Sequence, residues 1–145
     1  METTDLAHCV SSLCSATPDD AFSYLSDAHR LGEWSLGCWE TRVEASGLVR
    51  GTSLFDGTGT FVQVIPAPEQ RTVDFAVGDD PGALVRRISA RIVPGEDVGG
   101  PADSSLVVLT AWRTSSMDDA RWQRLMVAHE AEILLLRHRI ERSAA

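Results

Sequence analysis

The run from Ala16 to Trp34, Ala-Thr-Pro-Asp-Asp-Ala-Phe-Ser-Tyr-Leu-Ser-Asp-Ala-His-Arg-Leu-Gly-Glu-Trp, restricts the folds open to this chain more than any other stretch. Thr17 is placed to cap a helix with Pro18 at its first position and Asp19 and Asp20 in its first turn, where a missing N–H and negative charge are both favourable. Phe22 and Leu25 give that helix an apolar face. Ser26-Asp27 recaps a second short helix ending near Gly32, with Trp34 just beyond. A helix pair set between one apolar strand and a long strand-rich middle calls for an α+β fold.

The strands follow from alternation and turn signals. Leu6 to Ser15 reads as the first. Trp39 to Ala45 sets Trp39, Thr41, Val43 and Ala45 against Glu40, Arg42 and Glu44, a half-buried strand with one wet face. Gly51 to Asp56, Thr60 to Ile65, Thr72 to Val77, Leu84 to Val93 and Leu106 to Thr114 complete about seven strands in hairpin-like order, hence an antiparallel meander. The Gly- and Pro-rich segment from Pro94 to Asp103 is long for a hairpin and is expected to be mobile.

The chain then turns helical, with Ser115 or Ser116 as cap. Trp122, Met126, His129, Ile133, Leu136 and Ile140 recur at steps of four and three, one continuous stripe roughly 25 Å long at 1.5 Å per residue. Arg121, Arg124, Glu132, Arg139 and Glu141 are expected on the opposite, wet side. The stripe must lie on the sheet.

Composition narrows the function classes. The 145 residues suit a single domain able to hold its own core. A formal charge of −8 argues against nucleic acid or anionic membrane as partner, because phosphate binding needs a concentrated positive field. All 13 basic residues are Arg, which removes lysine Schiff-base chemistry. Cys9, Cys14 and Cys38 lack paired spacing and read as small buried hydrophobes of a reducing compartment. The four His residues are dispersed, without the H-E-x-x-H pairing, so no metal and no cofactor is expected. The acidic start and the lack of an apolar run near 18 residues point to a soluble, cytoplasmic protein with no membrane span.

A strand, a helix pair opening on Ala-Thr-Pro-Asp-Asp-Ala-Phe and closing on Glu-Trp, six strands and a long amphipathic helix resemble the SRPBCC superfamily, also called START-like or Bet-v-1-like, in its polyketide cyclase/dehydrase branch. The resemblance spans about Leu6 to Arg142. It implies a helix-grip fold: a curved antiparallel sheet wrapped around the terminal helix, with an apolar cavity between them. Members bind lipids, sterols, aromatic polyketides or other hydrophobic molecules, and some catalyse aldol cyclisation and dehydration. The family shares no catalytic motif, so no catalytic residue carries over.

The candidate residues come from the pattern itself. His129 interrupts the apolar stripe, so it is either a proton relay at the cavity or a core histidine bonded to a strand carbonyl or water. Arg86 shares a face with Leu84, Ile88, Ala90 and Ile92, so it either reaches the cavity mouth to hold an oxyanion or snorkels to solvent. Trp34, Trp39, Phe75 and Trp112 are candidate aromatic lining, with plain core as the alternative. Asp56 is a candidate rim acid.

Two functions are expected to compete. One is a cofactor-independent cyclase, aromatase or dehydratase acting on a hydrophobic, carbonyl-rich or aromatic substrate through His129 and Arg86. The other is a non-catalytic carrier or sensor of a lipid, isoprenoid or aromatic metabolite; a homodimer is compatible with either.

Overall fold

The computed structural model describes residues 6–145. Seven strands, β1 (Ala7–Cys14), β2 (Trp39–Val43), β3 (Val49–Thr52), β4 (Gly59–Ala67), β5 (Thr72–Gly78), β6 (Val85–Pro94) and β7 (Ser105–Trp112), form one antiparallel sheet in the order β1-β7-β6-β5-β4-β3-β2. Every sequential pair from β2 to β7 is adjacent, as the turn signals predict. Strand β1 pairs with β7 along its full length, from Ala7 opposite Trp112 to Cys14 opposite Ser105.

The inner face of the sheet carries Val62, Val73, Phe75, Val77, Ala90, Ile92, Val107 and Leu109, all buried. Helix α1 (Pro18–Ser26) packs this face against β5 and β6, while α2 (Asp119–Ala144) runs along β1 and β7 and touches α1. Trp122, Ile133, Leu136 and Ile140 of α2 are buried as the stripe predicts. Seven curved antiparallel strands around a long C-terminal helix make this the helix-grip fold.

The helix pair forms for the reasons the sequence offers. Thr17 Oγ1 accepts from the Asp20 N–H, Pro18 opens α1, and Asp27 accepts from the His29 N–H to start a 3₁₀ turn at Ala28–Glu33. That turn lies against β2 and β3.

Three local expectations need correction. The third strand ends at Thr52, because Ser53 to Thr58 closes into a turn with Gly57 at φ 75°. The cap of α2 is Asp118, whose carboxylate accepts from the Arg121 N–H at 2.8 Å, rather than a serine. The segment after β6 contains a 3₁₀ turn at Gly95–Val98 and folds back on itself through Gly95 N–H to Ser104 O and Gly100 N–H to Gly95 O, both 2.8 Å. The side of α2 expected to be wet carries a buried carboxyl group, Glu132.

Candidate functional site

A pocket of about 460 Å³ opens between α2 and the half of the sheet formed by β4, β5 and β6. Its presence follows from the packing: α2 sits over β1 and β7, and α1 covers β4, β5 and β6 only in part. Trp34 enters from the end of the 3₁₀ turn and packs edge-to-face on Phe75, ring centroids 5.7 Å apart, giving the pocket an aromatic wall. Both rings are buried.

The opposite wall is polar. Steps of four, three and four bring Arg121, Leu125, Ala128 and Glu132 to one side of α2, and all of them line the pocket together with His129. Glu132 is 5 % exposed and accepts a hydrogen bond from the Leu36 N–H at 2.9 Å, which ties the loop after the 3₁₀ turn to the helix. His129 Nε2 lies 3.8 Å from Glu132 Oε1. On its other side the His129 ring is 6.0 Å from the ring of His8 on β1, and both Nδ1 atoms are buried without a hydrogen-bond partner among the described residues.

Burial sets the protonation of this pair. It pushes the Glu132 carboxyl up to about 8, against the opposing pull of the Leu36 N–H and the Arg87 guanidinium. Burial also holds His129 down at about 4, with the charges of His8 and Arg87 adding to it. At neutral pH the site therefore holds a protonated carboxylic acid beside a neutral imidazole.

Arg87 supplies the third group, through an irregularity in β6. Phe75 pairs with Ile88 and Ala76 with Arg86, so two residues of β5 span three of β6 and Arg87 is the extra one. Such a bulge breaks strict alternation. Both Arg87 and Ile88 consequently line the pocket, while Arg86 turns outward, its Nε 3.4 Å from Asp74 Oδ2. The expected inward placement of Arg86 is thus corrected by one residue. Arg87 Nη1 is buried with no hydrogen-bond partner, and desolvation followed by the neighbouring Arg121 charge brings its pKa down to about 10, Glu132 acting in the opposite direction. It remains a cation.

At the mouth, Asp56 accepts from both the Thr58 hydroxyl, at 2.7 Å, and the Thr58 N–H, at 3.0 Å, which holds its carboxyl below the usual range. Its other oxygen lies 3.8 Å from Arg124 Nη2, and that guanidinium covers the Phe55 ring at 5.5 Å. The turn between β3 and β4 and the first part of α2 therefore meet at the rim.

Two expected lining residues lie elsewhere. Trp112 falls on the outer side of β7, because Ser105, Val107, Leu109 and Ala111 take the inner positions. Trp39 precedes a bulge in which Glu40, at φ 50°, and Thr41 oppose Gly51 alone, and Cys38 takes the place in the lining instead. Gly51 is needed there, since a Cβ would stand 2.6 Å from Cys38 Sγ and 2.8 Å from Trp39 O. Of the residues singled out in the sequence, the pocket brings together His129, Trp34, Phe75 and Asp56. Sequence reasoning missed Glu132, Arg87 and the contribution of His8. Only the pocket-facing spacing of Glu132, three residues after His129, was there to signal it.

Among the described residues no three His, Cys, Asp or Glu side chains cluster as a metal site requires, and no helix is long and apolar enough to cross a membrane.

This architecture is the one found in aromatase/cyclases. The Zhui aromatase/cyclase from Streptomcyes sp. R1128 superposes with a TM-score of 0.70 at 13 % identity, covering 96 % of this chain and 95 % of that one. The two-domain aromatase/cyclase BexL of the BE-7585A biosynthetic pathway gives 0.66 at 14 % identity, over 93 % of this chain and 46 % of its own. The Aha1 dimer from Colwellia psychrerythraea gives 0.65 at 16 % identity, over 97 % and 99 %. No protein-family model and no curated protein matches the chain in sequence. At 16 % identity or less these likenesses show a shared fold, the helix-grip architecture of a curved antiparallel sheet around a C-terminal helix.

Proposed function

We propose that the protein is a cofactor-independent cyclase, aromatase or dehydratase-like enzyme acting on a hydrophobic, carbonyl-rich substrate. The observation that carries this reading is the convergence of His129, Glu132 and Arg87 on one pocket, facing the aromatic wall of Trp34 and Phe75. A carrier of a purely apolar ligand needs no buried acid, neutral base and unpartnered guanidinium together.

The chemistry follows from these protonation states. Arg87 holds a substrate carbonyl oxygen and the negative charge that develops there as an enolate forms. His129 accepts the α proton, and the C–H electron pair passes to the enolate. The enolate carbon attacks a second carbonyl, forming the C–C bond, while the Glu132 acid donates its proton to that carbonyl oxygen. Protonated His129 returns a proton to Glu132 across their 3.8 Å separation. Dehydration uses the same pair: His129 takes a second α proton, and the hydroxyl leaves as water with the proton of Glu132. An imidazole whose pKa lies at about 4 is a weak base, so most of the driving force must come from stabilisation of the enolate by Arg87.

The test is turnover of a poly-β-carbonyl thioester by the full chain, followed by the absorbance of the aromatic product. His129→Ala, Arg87→Gln and Glu132→Gln should each lower kcat by about 10²-fold or more, in line with acid–base and oxyanion contributions. Arg86→Ala should leave it unchanged. Binding of such thioesters without turnover refutes the enzyme and assigns the pocket to a carrier.

A further inference from the structure

Resting on that reading, we propose that the substrate bears a carboxylate beside the carbonyl that enolises, that the Arg87 guanidinium holds an oxygen of each, and that Arg121 strengthens the hold on this anionic end inside the pocket.

The inference begins with a charge that lacks a counterion. Among the described residues Arg30, Arg71, Arg86, Arg113, Arg124 and Arg137 each stand within 4 Å of a carboxylate; of the arginines that do not, Arg87 and Arg121 are the ones that line this pocket. Among the described residues Arg87 Nη1, shielded from solvent, has no hydrogen-bond acceptor, and the acid within its electrostatic reach, Glu132, is protonated at neutral pH and offers no negative charge. A desolvated guanidinium with a free donor is costly in an empty pocket, and the cost is removed when an anion arrives.

Arg121 strengthens the same field. Eleven residues separate it from Glu132 on α2, about 16 Å along the axis. Both line the pocket, Arg121 exposed and Glu132 buried, and Arg87 lies within electrostatic reach of each. The ladder partner of Ile88, the residue after Arg87, is Phe75, so the anionic end lies beside the aromatic wall.

The anion class follows from shape and charge. A planar fork with a buried free nitrogen matches a planar carboxylate. A phosphate dianion would feel twice the repulsion of a chain carrying −8, with Asp56 at the rim. A flat aromatic or polyene acid satisfies both walls at once.

Calorimetric titration of the full chain with 2-naphthoate, 2-naphthamide and inorganic phosphate tests this. Naphthoate should bind at least about tenfold more tightly than the isosteric amide, the value of one charge-assisted contact. Arg87→Gln should abolish that preference, Arg121→Gln should reduce it, and Arg86→Gln should preserve it. Circular dichroism checks each fold; should Arg87→Gln fail to fold, Arg121→Gln, at an exposed position, carries the same comparison. Equal binding of acid and amide, a preference that survives both substitutions, phosphate displacing naphthoate at equal concentration, or no binding of either aromatic overturns the proposal. Failure here with cyclisation intact leaves the enzyme reading standing; a carboxylate preference without turnover does the reverse.

Discussion

Glu132→Gln should make the protein more resistant to alkali than the parent. The ordinary carboxyl value is 4.5, and burial raises that of Glu132 to about 8 in the folded chain. Between those values the folded state holds a proton that the unfolded state has released, so stability falls as pH rises through the window. The full loss is bounded at about 5 kcal/mol, taking 1.36 kcal/mol for each tenfold factor. His129 works at the other end. Its value is held down at about 4 from 6.5, so its effect is lost stability as pH falls below 6.5, and above that it is neutral in both states. Cys14 and Cys38 are pushed up from 9.0 to about 11 and act only at higher pH. The interval from pH 6.5 to 8 thus isolates Glu132, which faces Arg87 from β6, His129 on its own helix and the Leu36 amide. Urea unfolding across it should show the parent losing about 2 kcal/mol and Glu132→Gln losing under about 0.5 kcal/mol, since glutamine keeps the acceptor for the Leu36 N–H but cannot ionise. A flat parent profile, or an equal slope in the variant, refutes the claim that this carboxyl is protonated at neutral pH.

Other outcomes follow from single contacts. Trp34→Ala should destabilise by about 3 to 5 kcal/mol in urea unfolding, because it empties a buried aromatic position packed on Phe75. Gly51→Ala should lower the melting temperature, since its Cβ meets the Trp39 carbonyl at 2.8 Å and the backbone must move; an unchanged Tm would show that the bulge yields freely. Thr17→Ala should cost about 1 kcal/mol through loss of the cap on the Asp20 N–H. Iodoacetamide at pH 8 should label the exposed Cys9 alone in the native protein and all three cysteines in denaturant, read by mass spectrometry, because Cys14 and Cys38 are buried with raised thiol values.

The fold was legible because its determinants are local. A capped Pro-Asp-Asp helix start, turn residues between alternating segments and a stripe at helical spacing each act within a few residues, and together they specify the order of elements. The site was less so, because it depends on irregularities that alternation cannot register. Arg86 and Arg87 are chemically identical, and only a bulge opposite Phe75 and Ala76 decides which one enters the pocket. Glu132 belongs by its charge to the outside of a helix, and it is inside because α2 borders a hollow there and the Leu36 N–H meets it. The meeting of His8 with His129 joins residues 121 positions apart in the chain, and no spacing rule reaches that far.

The strand order has a kinetic consequence. Strands β2 to β7 can zip through successive hairpins, the longest connection being Gly95 to Ser104, but β1 must wait for β7, some 98 residues further on, before it has any partner. During synthesis β1 leaves the ribosome before β7 and stays unpaired until β7 has followed. His8 arrives beside His129 only with that final strand, so recovery of ligand binding on refolding should lag behind formation of the β2–β7 sheet.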